Sequence, residues 1–224
     1  MKFFDSEGHT LILRPDYTTP IARLVASRMQ NAEKPLRLYY LDSVFRQAEK
    51  GKHQDLEIMQ AGIELIGNNS PKADAEVIAI CCEIISGLGF KNFGIDIGHT
   101  DFVSQLSEKE KKALINGNYL ELGYIPDRGG LEIINEHHEL AILYNELKSK
   151  GWGENISFNK GLIRDISYYS GIVFECYIPN MGKVIGSGGR YDNLISKFGY
   201  DTPAVGFSLD VNLLLAAKKQ EENI

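Results

Sequence analysis

Cysteine is scarce in this 224-residue chain, and what there is has no pattern. Cys81 and Cys82 are adjacent and Cys176 stands far away, so there is no C-x-x-C pair and no even set to staple a small scaffold. That excludes a cysteine-zinc motif and a disulfide framework; reduced core thiols in a cytoplasmic protein, with no bound metal, are expected. Long apolar runs are missing as well. None approaches the length of a membrane span, and the first residues do not read as a secretory signal. A basic excess is also lacking: 24 Lys and Arg face 30 Asp and Glu, a net charge of -6. This argues against a nucleic-acid groove, which needs a basic field. There is no P-loop, no G-x-G-x-x-G after a strand, no G-x-S-x-G and no H-E-x-x-H, so no cofactor is expected. Internal repeats, low-complexity tracts and a linker are absent too, so residues 1–224 read as one domain.

What is present is an ordinary globular composition, 43% apolar and 24% charged, long enough to bury a core without staples. The organising stretch is Gly161–Asp192, GLIRDISYYSGIVFECYIPNMGKVIGSGGRYD. Two strand-like runs, Ile172–Ile178 and Lys183–Ile185, flank a Pro-Asn-Met-Gly turn, a hairpin signal. Arg164 and the pair Tyr168-Tyr169 precede them; Gly186, Gly188, Gly189 and Arg190 follow. Glycines there mean either a plain turn or a backbone that a ligand approaches closely.

A second informative stretch is Asp55–Gly67. As a strand, it places Leu56, Ile58, Gln60, Gly62, Glu64 and Ile66 on one face. A buried Gln and Glu are costly unless paired. Gly62 between them suggests a flat space above the strand, a floor for an ammonium or imidazole group; the plain alternative is a half-buried strand. Asp16 and Thr18 stand before a helix with Pro20 at its first position and Ile21, Leu24, Val25 and Met29 on one face. They are either caps or donors to a pocket. Arg46 ends an apolar pair, as a surface residue or an anion clamp. Gln47–Gln54 reads as a polar loop. Ser70-Pro71 caps a helix whose buried stripe includes Val77, Ile80, Cys81 and Ile84, with Gly89 stopping it. Asp101–Asn116 and Leu131–Lys150 have helical spacing; the adjacent His137 and His138 point to different faces and read as surface residues. Strands and helices alternate irregularly, which predicts an α+β fold with a mainly antiparallel sheet.

Several segments together resemble one superfamily: LRPDYT (Leu13–Thr18), VFR (Val44–Arg46), QAGIELIG (Gln60–Gly67), IRDISYYSGIVFE (Ile163–Glu175) and GGRYDNL (Gly188–Leu194). They are similar to the catalytic core of histidyl-tRNA synthetase, a class II synthetase. They are more similar still to its non-synthetase paralogue, the regulatory subunit of ATP phosphoribosyltransferase. The resemblance implies a class II synthetase-like core with helices flanking the sheet. It implies a histidine pocket made by Asp16, Thr18, Arg46, Gln60, Glu64, Arg164, Tyr168 and Tyr169. Gln60 and Glu64 would meet the amino group, the tyrosines would wall the imidazole, and Arg46 would lie near the carboxylate. Arg190 matches a phosphate-binding arginine.

Departures separate the paralogues. The acid that the synthetase carries two places after its motif 2 arginine is replaced by Ala48, and Gln47–Gln60 holds no arginine. No anticodon-binding domain is expected after Leu215, and the motif 1 segment and part of a helical insertion are expected to be missing. The resemblance therefore implies a non-catalytic regulatory subunit. It would bind L-histidine and the short-form ATP phosphoribosyltransferase catalytic subunit, as a homodimer within a hetero-oligomer, in histidine biosynthesis. The alternative is a histidyl-tRNA synthetase core that adenylates histidine.

Overall fold

Alternation of apolar with small or polar residues along the strands decides which face of the sheet each side chain takes. The computed structural model describes residues 2–46, 56–134, 137–164 and 168–222. The expected polar loop at Gln47–Gln54, and Ala48 within it, lie outside the described residues. In chain order the elements are β1 (Lys2–Phe4), β2 (Thr10–Ile12), α1 (Thr18–Arg28), β3 (Leu36–Phe45), β4 (Glu57–Ile66), α2 (Pro71–Gly87), β5 (Gly94–His99), α3 (Glu108–Ile115), α4 (Tyr119–Leu122), β6 (Arg128–Gly129), α5 (His138–Ser149), β7 (Ile156–Asn159), β8 (Ile172–Tyr177), β9 (Val184–Arg190), β10 (Ala204–Asp210) and α6 (Val211–Glu222).

β1 and β2 form a separate hairpin, and the other strands make an eight-stranded sheet in the order β3-β4-β10-β9-β8-β5-β7-β6. Its described pairings are antiparallel except β5 with β7. This is the mainly antiparallel α+β architecture that the sequence predicts. One face is the dry core. Leu65 of β4, Val205, Phe207 and Leu209 of β10, Ile185 of β9, Phe174 and Cys176 of β8, and Ile95 and Ile97 of β5 pack beneath α2, α5 and α6. Each fully buried side chain of this size stabilises the fold by roughly 1.5–3 kcal/mol. On the other face, Ile66 and Ala204 meet α1 and the short 3-10 turn Ile195–Phe198.

The helix signals behave as their chemistry requires. Ser70 accepts from the Ala73 N–H at the start of α2, Pro71 sits at the first position, and Gly89 takes φ +93° past its end. Four expectations change. Asp16 accepts the Thr19 N–H at 2.7 Å at the start of α1, as a cap would, but the helix begins at Thr18, so Pro20 is its third residue and not its first. The buried face of α1 is Ala22, Val25 and Ala26, which leaves Leu24 exposed, because the small alanines let the helix lie close to its neighbours. Asp101–Asn116 is not one helix: a 3-10 turn, Thr100–Val103, precedes α3, and Ser107 starts α3 with a reciprocal capping box to Glu110. His138 is exposed as expected, but His137 turns inward, 4.3 Å from the ring of His99.

Candidate functional site

The floor of the site is the face of β4, β10 and β9 that α2, α5 and α6 do not cover. Along β4, Gln60, Gly62 and Glu64 alternate as expected, opposite Asp210, Ser208 and Gly206 of β10. Ser187 and Gly189 of β9 come next in register. Gly186, Gly188 and Gly189 are therefore strand residues and not a turn. Their bareness is used. A Cβ on Gly189 would lie 2.7 Å from the Tyr169 ring, and one on Gly206 would lie 1.8 Å from Glu64 Oε2. The expected flat space above Gly62 is occupied: the Tyr40 ring lies where a Cβ would be, 2.4 Å from that position at Cζ. Tyr40 is held there by stacking on Tyr17, with ring centroids 4.6 Å apart.

The walls come from three other segments. The first turn of α1 brings Thr18, whose hydroxyl donates to Glu64 Oε1 at 2.8 Å. The residues before β8 bring Tyr168 and Tyr169, whose rings lie 5.4 Å apart, and Tyr168 also meets Tyr191 edge-on at 5.9 Å. Arg164 enters from the far side and donates to Glu175 Oε1 at 2.5 Å. Together they enclose a cavity of about 60 Å³ lined by Asp16, Thr18, Arg46, Gln60, Arg164, Tyr168 and Tyr169, with Tyr40, Tyr191, Ser187 and Ser208 among the further walls. An adjoining hollow of about 100 Å³ shares Arg46, Gln60, Arg164, Ser187 and Ser208 and runs on to Val184 and Asp210.

Two expected residues stand elsewhere. Glu64 does not line the cavity. It is buried behind the wall, where Tyr191 and Thr18 both donate to its carboxylate. Burial pushes its pKa up to about 7; the two hydroxyls pull it down, and nearby Asp16 raises it further. Arg190 is turned away and committed. Its Nε and Nη2 donate to Asp74 Oδ1 at 3.0 and 2.5 Å, and its Nη1 to Asp192 and to the Asn68 carbonyl. In register with Val205 of the dry core, it reaches α2 and does not face the cavity. In this place the guanidinium neutralises a buried carboxylate.

The electrostatics divide the site in two. Near α1, a cation would meet Asp16, the tyrosine oxygens and, one layer behind, the Glu64–Tyr191 pair. Burial raises the pKa values of Tyr168 and of Tyr169, the latter to about 12, so both remain neutral hydroxyls. Toward the adjoining hollow stand Arg46 and Arg164. A small molecule with an ammonium, a flat ring and a carboxylate has a complementary distribution of charge and shape.

The sequence matches the family model described as Histidyl-tRNA synthetase over residues 1–117 and 125–214. The chain belongs to the histidyl-tRNA synthetase family. Among curated relatives it is similar to proteins named ATP phosphoribosyltransferase regulatory subunit. That of Clostridium acetobutylicum is 35% identical over 96% of this chain and 64% of its own length, and that of Desulforamulus reducens is 37% identical over 96% and 64%. The chain thus spans somewhat less than two thirds of the length of these relatives. A solved structure from Bacillus halodurans, described as an ATP phosphoribosyltransferase regulatory subunit/histidyl-tRNA synthetase, superposes with a TM-score of 0.87. It is 35% identical, and the match covers 96% of this chain and 67% of that one. The apo histidyl-tRNA synthetase of S. aureus shares the fold, with a TM-score of 0.70 at 24% identity over 99% of this chain and 56% of that one.

Within this family core, sequence reasoning missed Tyr40, Tyr191, Ser187 and Ser208. Tyr191 stood in the GGRYD run. The signal for Tyr40 was its place on a strand beside a glycine-bearing neighbour, but only the cross-strand register, Tyr40 opposite Gly62, assigns it there.

Proposed function

We propose that this chain is the synthetase-like core of an ATP phosphoribosyltransferase regulatory subunit. It holds L-histidine in the tyrosine-walled cavity and has no catalytic step of its own. It binds the short-form catalytic subunit, as a homodimer within a hetero-oligomer in the cytoplasm, activates it, and conveys histidine feedback on the first step of histidine biosynthesis. Feedback requires that histidine bind one state of the assembly more tightly than another.

The observation that carries this reading is a contrast in likeness. Relatives named as regulatory subunits match at 33–37% identity, whereas solved structures named only for the tRNA ligase or synthetase match at 22–24%. The site supports it. Seven of the eight residues expected around histidine line one cavity, with Glu64 behind its wall, while Arg190 is tied to Asp74. Adenylation depends on placed positive charge at the phosphates.

Calorimetric titration of the chain with L-histidine, and with ATP in parallel, tests the proposal. Histidine binding without ATP binding is expected, together with a gain in activity when the chain is mixed with a short-form catalytic subunit. Histidine-dependent exchange of pyrophosphate into ATP would overturn it in favour of a synthetase core.

A further inference from the structure

We propose that His99, Asp101 and His137 form a binding site for a divalent transition metal of the zinc type, separate from the tyrosine-walled cavity. His99 ends β5 and is buried, with its ring on the face that packs under the helices. Asp101 follows in the 3-10 turn Thr100–Val103, and His137 is the residue just before α5. Thirty-odd residues of chain separate the two rings, and the fold brings their centroids to 4.3 Å.

The distances carry the argument. His99 Nδ1 lies 3.4 Å from Asp101 Oδ2, and His137 Nε2 lies 3.4 Å from the same oxygen. Both are too long for good N–H···O hydrogen bonds. They match the edge of a tetrahedron around zinc, about 3.3–3.5 Å for metal–ligand bonds of about 2.0–2.2 Å. The three ligand atoms all lie within 4.8 Å of one another, so one ion can touch all three. Two imidazoles with one carboxylate select zinc, cobalt or nickel over magnesium or calcium.

The surroundings favour a formed site. Phe102 stands edge-on to both rings, at 6.2 Å from His99 and 5.7 Å from His137, and so limits their rotation. His137 is half-buried and His99 is buried among these neighbours. Asp101 and Glu139 supply the negative charge around it. His99 Nδ1 also accepts the Asp101 N–H at 3.2 Å, a long bond that an incoming ion would replace. The carboxylate of Asp101 is 69% exposed, so the fourth position opens to water and the ion has a path of entry. The bound ion would tie the end of β5 to the first turn of α5.

Cobalt(II) titration of the chelator-treated protein, followed by visible absorption and then by displacement with zinc, tests this. One saturable equivalent with tetrahedral absorption is expected, and the zinc-loaded protein should melt at a higher temperature than the metal-free one. His137→Ala and Asp101→Asn should each weaken binding at least about tenfold, a loss of roughly 1.4 kcal/mol. His138→Ala, which removes the exposed neighbour, should leave it unchanged. Asp101 is exposed and His137 is half-buried, and circular dichroism confirms the folding of each ligand variant. Absence of a saturable absorption, or binding that persists in both folded ligand variants, would overturn the proposal.

Discussion

The Tyr191 hydroxyl donates to one oxygen of Glu64, and the Thr18 hydroxyl donates to the other at 2.8 Å. Three distant segments of the chain are joined at this buried carboxylate: the start of α1, the middle of β4 and the end of β9. Gly206 leaves the space that the carboxylate fills. Glu64 therefore organises the cavity wall from behind, and on the proposed reading it would supply negative charge to a cation in front of it.

Substitution of Glu64 should weaken histidine binding even though the residue does not line the cavity. In Glu64→Ala the cation loses a buried carboxylate, which in buried pairs is worth about 2–5 kcal/mol. Two hydroxyls also lose their acceptor, at about 1–3 kcal/mol each if they stay unpaired. Calorimetry and chemical denaturation of the same variant separate the two effects. Unchanged histidine affinity in a folded variant would remove the ammonium from this end of the cavity.

The same carboxylate gives a direction to pH dependence. Its folded-state pKa, about 7, lies above the ordinary value of 4.5. The native state thus binds more protons than the unfolded one between those values, so this contribution to stability is full below pH 4.5 and is lost as pH rises through 7. The size is about 3 kcal/mol as an order of magnitude. Glu64→Gln should flatten that part of the profile, measured by denaturation at pH 5 and pH 8. Histidine affinity should rise from pH 6 to pH 8 more steeply in the parent than in Glu64→Gln, because only the ionised carboxylate attracts the ammonium.

Arg190 and Asp74 should behave as a structural pair. Their side chains are 7% and 8% exposed, and Arg190→Leu leaves a buried carboxylate without its cation. A loss of about 3–5 kcal/mol is expected in urea denaturation. Where the variant remains folded, histidine affinity should be unaltered; a specific loss of ligand binding would return Arg190 to the site.

Two glycines should respond in opposite ways to alanine. Gly206→Ala places a Cβ 2.5 Å from the Ile63 carbonyl and against Glu64, so the backbone itself must shift. Overpacking of this kind costs about 1–3 kcal/mol, and histidine binding should fall with it. Gly87, at the end of α2, has nothing within 4 Å of its added Cβ. Gly87→Ala should stabilise by about 0.5–1 kcal/mol. Equal effects in thermal melts would contradict this reading of the sheet floor.

The sequence alone determined which way the side chains of β4 face, because they follow from a period of two. It placed Gln60 and Glu64 on one side of β4, Ser70-Pro71 at the start of α2, and the β8–β9 hairpin around its turn. Its motifs also pointed to seven of the residues that line the cavity, among them Asp16, Gln60, Tyr168 and Tyr169. What it could not determine was depth and partnership. Arg164 and Arg190 both read as ligand-binding arginines, one for histidine and one for phosphate, yet Arg190 lies under α2 with Asp74 and Arg164 reaches the cavity. Gly62 read as open space, but the register of β3 against β4 lays Tyr40 over it. His137 read as surface, but packing at the end of β5 brings it to His99 and Asp101. In each case local pattern sets only which way a side chain leaves the backbone. Which group it meets depends on strand order and helix docking, and those arise from contacts between residues far apart in the chain.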